Sequence, residues 1–335
     1  MGPDATFFSP QRHQSGSRLV VVRDRHLTEQ PLRGEVNVVG TGSSWNANAS
    51  ILVGYNNNGN TYNAGSIFFS EGIVNVNQGA FVSGASLGLG IRRLSRGVLN
   101  VDGAGSVVSI GTAGVTVGAL ETFSGNGFSF EGTGEIHVSN GGLLDVNGDI
   151  LLRAGFADLN QGTIVANNLF LDSDAYNDGT LSQLLGEGLV QANVSSASGI
   201  IAPGHSAGTL MIDGNLTQTS TGTLQMEIGG LLQGTEFDFL DVSGAAVLDG
   251  TLDIALLNGF IPNAGQTFDI LTASTIDPTG LALTGANHFT WQVLAGGNGE
   301  ILRLTATAIP EPSTFIFFGL ALTTWGMLRR RRSPI

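Results

Sequence analysis

Apolar residues along this chain come in short alternating runs rather than in helical stripes. Leu224-Gln225-Met226-Glu227-Ile228, Thr251-Leu252-Asp253-Ile254-Ala255-Leu256, Gln266-Thr267-Phe268-Asp269-Ile270-Leu271 and Ile301-Leu302-Arg303-Leu304-Thr305 follow this pattern. Alternation is the period of a strand with one buried face. The runs are rich in Leu and β-branched residues and are bounded by Gly, Asn and Ser, the chemistry of strands and tight turns. Nothing in residues 34–308 combines a long helical period with caps. The predicted class is all-β.

One phrase recurs: glycine, any residue, an apolar residue, Asn or His, valine. It reads Gly34-Glu35-Val36-Asn37-Val38, Gly72-Ile73-Val74-Asn75-Val76, Gly97-Val98-Leu99-Asn100-Val101 and Gly134-Glu135-Ile136-His137-Val138. The first copy lies 63 residues before the third, and the second 62 before the fourth. Gly40-Thr41-Gly42-Ser43 also matches Gly103-Ala104-Gly105-Ser106 at 63, and Leu52-Val53-Gly54 matches Thr116-Val117-Gly118 at 64. The body therefore contains two copies of a unit near 63 residues.

Such a unit divides into three coils of about 21 residues, which predicts a parallel β-helix, or β-solenoid, over residues 34–200. Its hand is expected to be right, as in parallel crossovers generally. Inward side chains then stack coil on coil, and Gly and Asn take the positive-φ corners. All 24 Asn lie in residues 34–308, and Pro is scarce at 9, so interior strands keep their N–H donors. A β-sandwich or jelly roll is the alternative. Residues 201–308 are expected to form a β-rich cap. Residues 1–33 carry no interpretable pattern.

Charge narrows the partners. The 14 basic residues are all Arg, and residues 34–308 hold 23 Asp and Glu against 5 Arg. So acidic a body is expected to bind no nucleic acid and no anionic membrane surface. It suits solubility, divalent cations or neutral glycans. The absence of Cys excludes a disulfide framework and a thiolate zinc site.

Several constellations touch on chemistry. Gly204-His205-Ser206-Ala207-Gly208 matches a nucleophile elbow, but that motif needs a following helix, and a strand-like run follows here. Asp172, Asp174 and Asp178 suggest a weak surface calcium site, without EF-hand spacing; a solvated turn is the plainer reading. Trp45 and the Tyr55–Asn60 segment are candidate sugar contacts, or a loop excursion. Arg92, Arg93 and Arg96, the basic cluster of the body, suit an anionic glycan or a solvated turn. The five His show no metal-ligand spacing. No catalytic residue and no required cofactor is expected.

From Ile201-Ala202-Pro203-Gly204-His205-Ser206-Ala207-Gly208-Thr209-Leu210 onward, the chain resembles the passenger regions of bacterial autotransporters and their secreted relatives. Their solenoids often carry an Ala-Pro-Gly-x-Ser-x-Gly-Thr-Leu phrase. The resemblance spans roughly residues 34–308.

Residues 309–335 have three parts: Pro310-Glu311-Pro312, the uncharged run Thr314–Leu328, and Arg329, Arg330, Arg331 and Arg332. This order at the end of the chain resembles a PEP-CTERM sorting signal. As a helix, the 15-residue run spans about 22 Å, a little short of a hydrocarbon core of about 30 Å. Snorkelling Arg and bilayer thinning cover the mismatch, and four Arg hold that end in the cytoplasm. The resemblance implies that Pro310, Glu311 and Pro312 are the motif read by an exosortase, a membrane-embedded transpeptidase-like enzyme of Gram-negative bacteria. It implies an exported protein, held in the inner membrane by a single C-terminal transmembrane helix before processing. Export also calls for a signal peptide, and residues 1–33 offer only Leu19–Val22 as an apolar run, so the natural start is expected to lie elsewhere. The expected role is a structural surface or extracellular-matrix protein associated with exopolysaccharide or biofilm. An adhesin or glycan-binding protein is the alternative, and a polysaccharide-degrading β-helix enzyme a more distant one.

Overall fold

The computed structural model describes residues 20–21, 32–54, 70–91, 95–122, 129–173, 181–286 and 288–307. The described chain is all-β, and among the described residues no helix is long and apolar enough to cross a membrane. The transmembrane helix expected at 314–328 lies outside the described residues.

Strands separated by one circuit of the chain pair in parallel, forming three ladders. The first runs from Leu32–Val39 through Ser70–Asn77, Ser95–Asp102 and Ser129–Ser139 to Gly155–Leu171. The second runs from Ser44–Asn46 through Phe81–Gly84 and Val107–Ile110 to Leu143–Val146. The third joins Ser50–Val53, Ser86–Leu89, Val115–Val117 and Ile150–Leu152. Each circuit adds one strand to each ladder, the coil-on-coil stacking of a β-solenoid.

The recurring phrase marks the first ladder. Gly34 pairs with Gly72, Gly72 with Gly97, Gly97 with Gly134 and Gly134 with Gly155. Successive coils are therefore 38, 25, 37 and 21 residues long, and the 63-residue unit is two coils, not three. The long coils carry excursions after their third strand. In one the extra length falls at 55–69, outside the described residues; in the other it is flanked by the antiparallel pair Ala119–Thr122 and Ser129–Gly132. A loop leaving a corner does not disturb the ladders, and lengthening it adds little closure entropy.

Inside, like stacks on like. Val38, Val76, Val101, Val138 and Leu159 follow one another up the first ladder, all buried. Each such side chain contributes roughly 1.5–3 kcal/mol of burial. The corner after the first strand takes positive φ in coil after coil, at Gly40, Gln78, Gly103, Asn140 and Gln161. Among the described Asn only Asn140 and Asn258 have positive φ, so corner duty is not the main work of Asn here.

The boundary expected near residue 200 between solenoid and cap is not a change of architecture. Parallel pairing continues through Ile200–Pro203, Thr223–Ile228 and Gly250–Leu256 to Leu281–Gly285. The cap is therefore shorter than residues 201–308. It is the antiparallel hairpin of Phe289–Gly296 and Gly299–Ala306, laid antiparallel on Thr267–Ala273. Phe268, fully buried, meets Phe237, Phe260 and Phe289 edge-on at 5.3, 6.3 and 5.8 Å between ring centres.

Candidate functional site

The outward face of the first ladder carries the densest polar network. Because strand side chains alternate, each second residue of the repeated phrase faces out and meets its counterpart one coil away. Asn75 Nδ2 donates to Asn37 Oδ1 at 2.7 Å and to Glu35 Oε1 at 2.9 Å; Asn100 Nδ2 donates to Asn75 Oδ1 at 2.7 Å. A second amide ladder follows on the third face, from Asp149 through Asn168 and Asn193 to Asn215, with donor–acceptor distances of 2.9, 3.4 and 3.1 Å.

Charge is paired the same way. Arg33 reaches Glu71 at 3.5 Å. Arg96 contacts Glu71 and forks onto Glu135, with Nε–Oε1 and Nη2–Oε2 both 2.7 Å. The hydrogen bond to Glu135 raises the Arg96 pKa, against the opposing effect of burial. Arg96 is thus a tie between three coils, not a free grip for an anionic glycan. Arg92 and Arg93 lie outside the described residues.

His137 occupies the Asn position of the fourth phrase. Its Nδ1 lies 3.4 Å from Asp158 Oδ2, and its Nε2 lies 3.4 Å from Glu135 Oε2. Phe156 packs edge-on against the ring at 5.2 Å. From the other side His205 Nε2 sits 2.6 Å from Asp158 Oδ1. In the ladder Asp158 pairs with Leu185 and Leu185 with Ala202, so His205, just beyond, bends back across two rungs. Asp158 is therefore shared by two His 68 positions apart in sequence. The bond to Asp158 raises the His137 pKa, despite burial. Burial works to raise Asp158, yet His137 and His205 bring it below the usual carboxylate range.

Beside this junction lies a hollow of about 220 Å³ lined by Asp158, Pro203, His205, Gln225, Glu227 and Asp238 among others. Asp238 is 1% exposed. Its Oδ1 accepts from the Gly208 N–H at 2.9 Å and its Oδ2 from the Glu227 N–H at 2.7 Å. The carboxyl thus fastens the 204–208 corner to the adjoining strand. Burial pushes it up to about 8, although both N–H groups favour its charged form. The folded protein then holds a proton here that the unfolded chain has lost, so stability falls as pH rises from the ordinary carboxylate range through about 8. The corresponding free energy is on the order of several kcal/mol. His137 works in the same direction from neutrality upward, since its raised pKa supplies stability that is lost as it deprotonates. Asp238→Asn is expected to remove most of the decline between about pH 5 and about pH 8 in urea-unfolding midpoints. The parent's slope unchanged in the variant refutes this assignment.

Other sequence candidates are placed as follows. Ser206 is exposed on the corner, and the strand Thr209–Ile212 follows it, so no helix completes an elbow. Trp45 is half-buried, packed against the core. Asp172 is exposed, while Asp174 and Asp178 lie outside the described residues. So do Tyr55, Pro310, Glu311, Pro312 and Arg329–Arg332. Among the described residues no group of three or more His, Asp and Glu is arranged to hold a metal ion. The junction at His137, Asp158, His205 and Asp238 was not among the sequence candidates. Its one visible sign was His137 standing where the other phrases have Asn.

No protein-family model matches the chain. A 66-residue stretch is 42% identical to the Adhesin BmaC autotransporter of Brucella suis biovar 1 (strain 1330). That stretch is 19% of this chain and 2% of that much longer relative.

Proposed function

We propose that this chain is an exported cell-surface or extracellular-matrix scaffold with an adhesin-like body, built as a right-handed parallel β-helix and released from the inner membrane by an exosortase. The observation that carries the reading is the unbroken coil-on-coil stacking from Leu32 to Gly285, cross-braced outside by amide and charge ladders. Such a body transmits load along its axis and presents a long lateral face. The likeness to an autotransporter adhesin supports placing it at a cell surface. Exopolysaccharide or another neutral glycan is the partner that an acidic face admits.

We assign the carboxylates at the hollow a structural role rather than catalysis. Asp238 is committed to two backbone N–H groups and Asp158 to two His. The sorting step rests on Pro310, Glu311 and Pro312 as recognition motif, 314–328 as membrane span and Arg329–Arg332 as cytoplasmic stop.

The test is the C-terminal mass of the mature protein, expressed with a supplied signal peptide in a bacterium with its exosortase and in the same strain lacking it. Loss of the Thr314–Ile335 tail only in the first strain is the expected result. An intact tail in both sinks the sorting reading and leaves the body's adhesin-like assignment to be judged on binding.

A further inference from the structure

Three of the most exposed large apolar side chains among the described residues are Leu231, Leu232 and Ile261, at 53%, 62% and 68% exposure. They stand on two consecutive corner loops, residues 229–237 and 257–266. The loops are stacked: a Cβ on Gly229 would lie 3.2 Å from Leu257, and Gln233 Nε2 donates to Asp269 O, at the start of the strand after the second loop, at 2.7 Å.

Both loops are built to hold their tips out. Glu236 Oε2 accepts from the N–H groups of Leu231 and Leu232 at 2.8 and 3.1 Å, and Leu232 O accepts in turn from the Glu236 N–H at 2.7 Å. In the second loop Phe260 packs inward toward Phe268 and Pro262 is buried, which leaves Ile261 pointing outward between them. Residues 257–266 contain no charged side chain, and residues 229–237 contain one, Glu236, in a body otherwise dominated by acids.

The chain leaves the cap beside these loops. Gly265 N–H donates to Ala306 O and Ala306 N–H to Gln266 O, both at 2.8 Å. From Thr307 the uncharged run at 314–328 begins seven residues on, a reach of at most about 25 Å.

We infer that Leu231, Leu232 and Ile261 form a membrane-contact corner, which seats the body on the outer surface of the bilayer that holds its tail. The inference rests on the reading of 314–328 as a membrane span. Loops tipped with Leu and Ile, whose single charged side chain, Glu236, is turned onto the N–H groups of Leu231 and Leu232, suit the headgroup–acyl boundary, where apolar side chains are buried a few ångströms deep. The lipid is zwitterionic, because the acidic body repels anionic headgroups. Seated this way, the Pro310-Glu311-Pro312 motif is confined to the membrane surface.

The full chain contains no Cys, so single labels are clean. Leu232→Cys, Ile261→Cys, Phe317→Cys and, far along the stack, Phe81→Cys are each labelled with an environment-sensitive fluorophore. They are reconstituted in phosphatidylcholine vesicles with and without nitroxide-bearing lipid. A blue shift and lipid quenching at the first three labels, and neither at Phe81→Cys, is the expected result. Quenching at Phe317→Cys alone overturns the membrane-contact corner while the tail reading stands. No quenching at any label overturns both. A blue shift at the loop labels without vesicles also overturns it: loss on dilution identifies a second copy as the occupant, and loss on truncation after Thr307 identifies the chain's own tail.

Discussion

Replacing Gly97 by valine is expected to destabilise the body by more than about 3 kcal/mol and to lower the urea midpoint accordingly. Gly97 opens one copy of the recurring phrase, at the corner where each coil passes from its third face back to its first. A Cβ there would stand 2.4 Å from Gly90 N, 2.4 Å from Val53 O and 2.8 Å from Leu89 C. All three are backbone atoms of the third ladder's end, and backbone in a paired ladder cannot step aside as a flexible side chain does. The Gly134 position repeats the arrangement, with Leu89 O at 2.6 Å and Gly118 N at 3.0 Å. The glycine of the phrase is thus demanded by space and not by φ. Gly42→Ala supplies the contrast: φ is +85° with nothing within 4 Å, so its cost is the left-handed strain of about 1 kcal/mol. Equal midpoints for Gly97→Val and Gly42→Ala would show that this corner has room the structure denies it.

Phe268→Ala is expected to cost about 3–5 kcal/mol and lower the thermal midpoint by on the order of 10 °C. Phe268 is the hub of an aromatic group drawn from four separate segments, Phe237, Phe260, Phe268 and Phe289. It joins the last coils to the closing hairpin. Removing it leaves a cavity and loosens the hairpin from Thr267–Ala273, exposing strand edges that pair readily with other chains. Light scattering on heating should therefore rise earlier than in the parent. A midpoint shift of less than about 2 °C would mean that the cap is held mainly by its backbone ladder and by Arg303, whose Nη2 reaches Asp269 Oδ2 at 2.8 Å.

The two expectations bear on function through one property, continuity of the stack. In a stack of this kind each coil contacts only its neighbours, so a local break interrupts the ladder without a distant element to compensate.

Read by itself, the sequence determined the strands, the turns between them, the recurring phrase with its glycine and the acidic imbalance of the body. These follow from local chemistry: alternation sets which side chains face inward, and identical residues in register stack. Only the tertiary structure decided how many coils make one 63-residue unit, because corner excursions lengthen a coil without changing its ladders. It also decided that Arg96 lies between Glu71 and Glu135, that His137 and His205 share Asp158, and that Asp238 fastens a corner 30 residues before it. Those meetings depend on register between coils of unequal length, and no spacing along the chain encodes them.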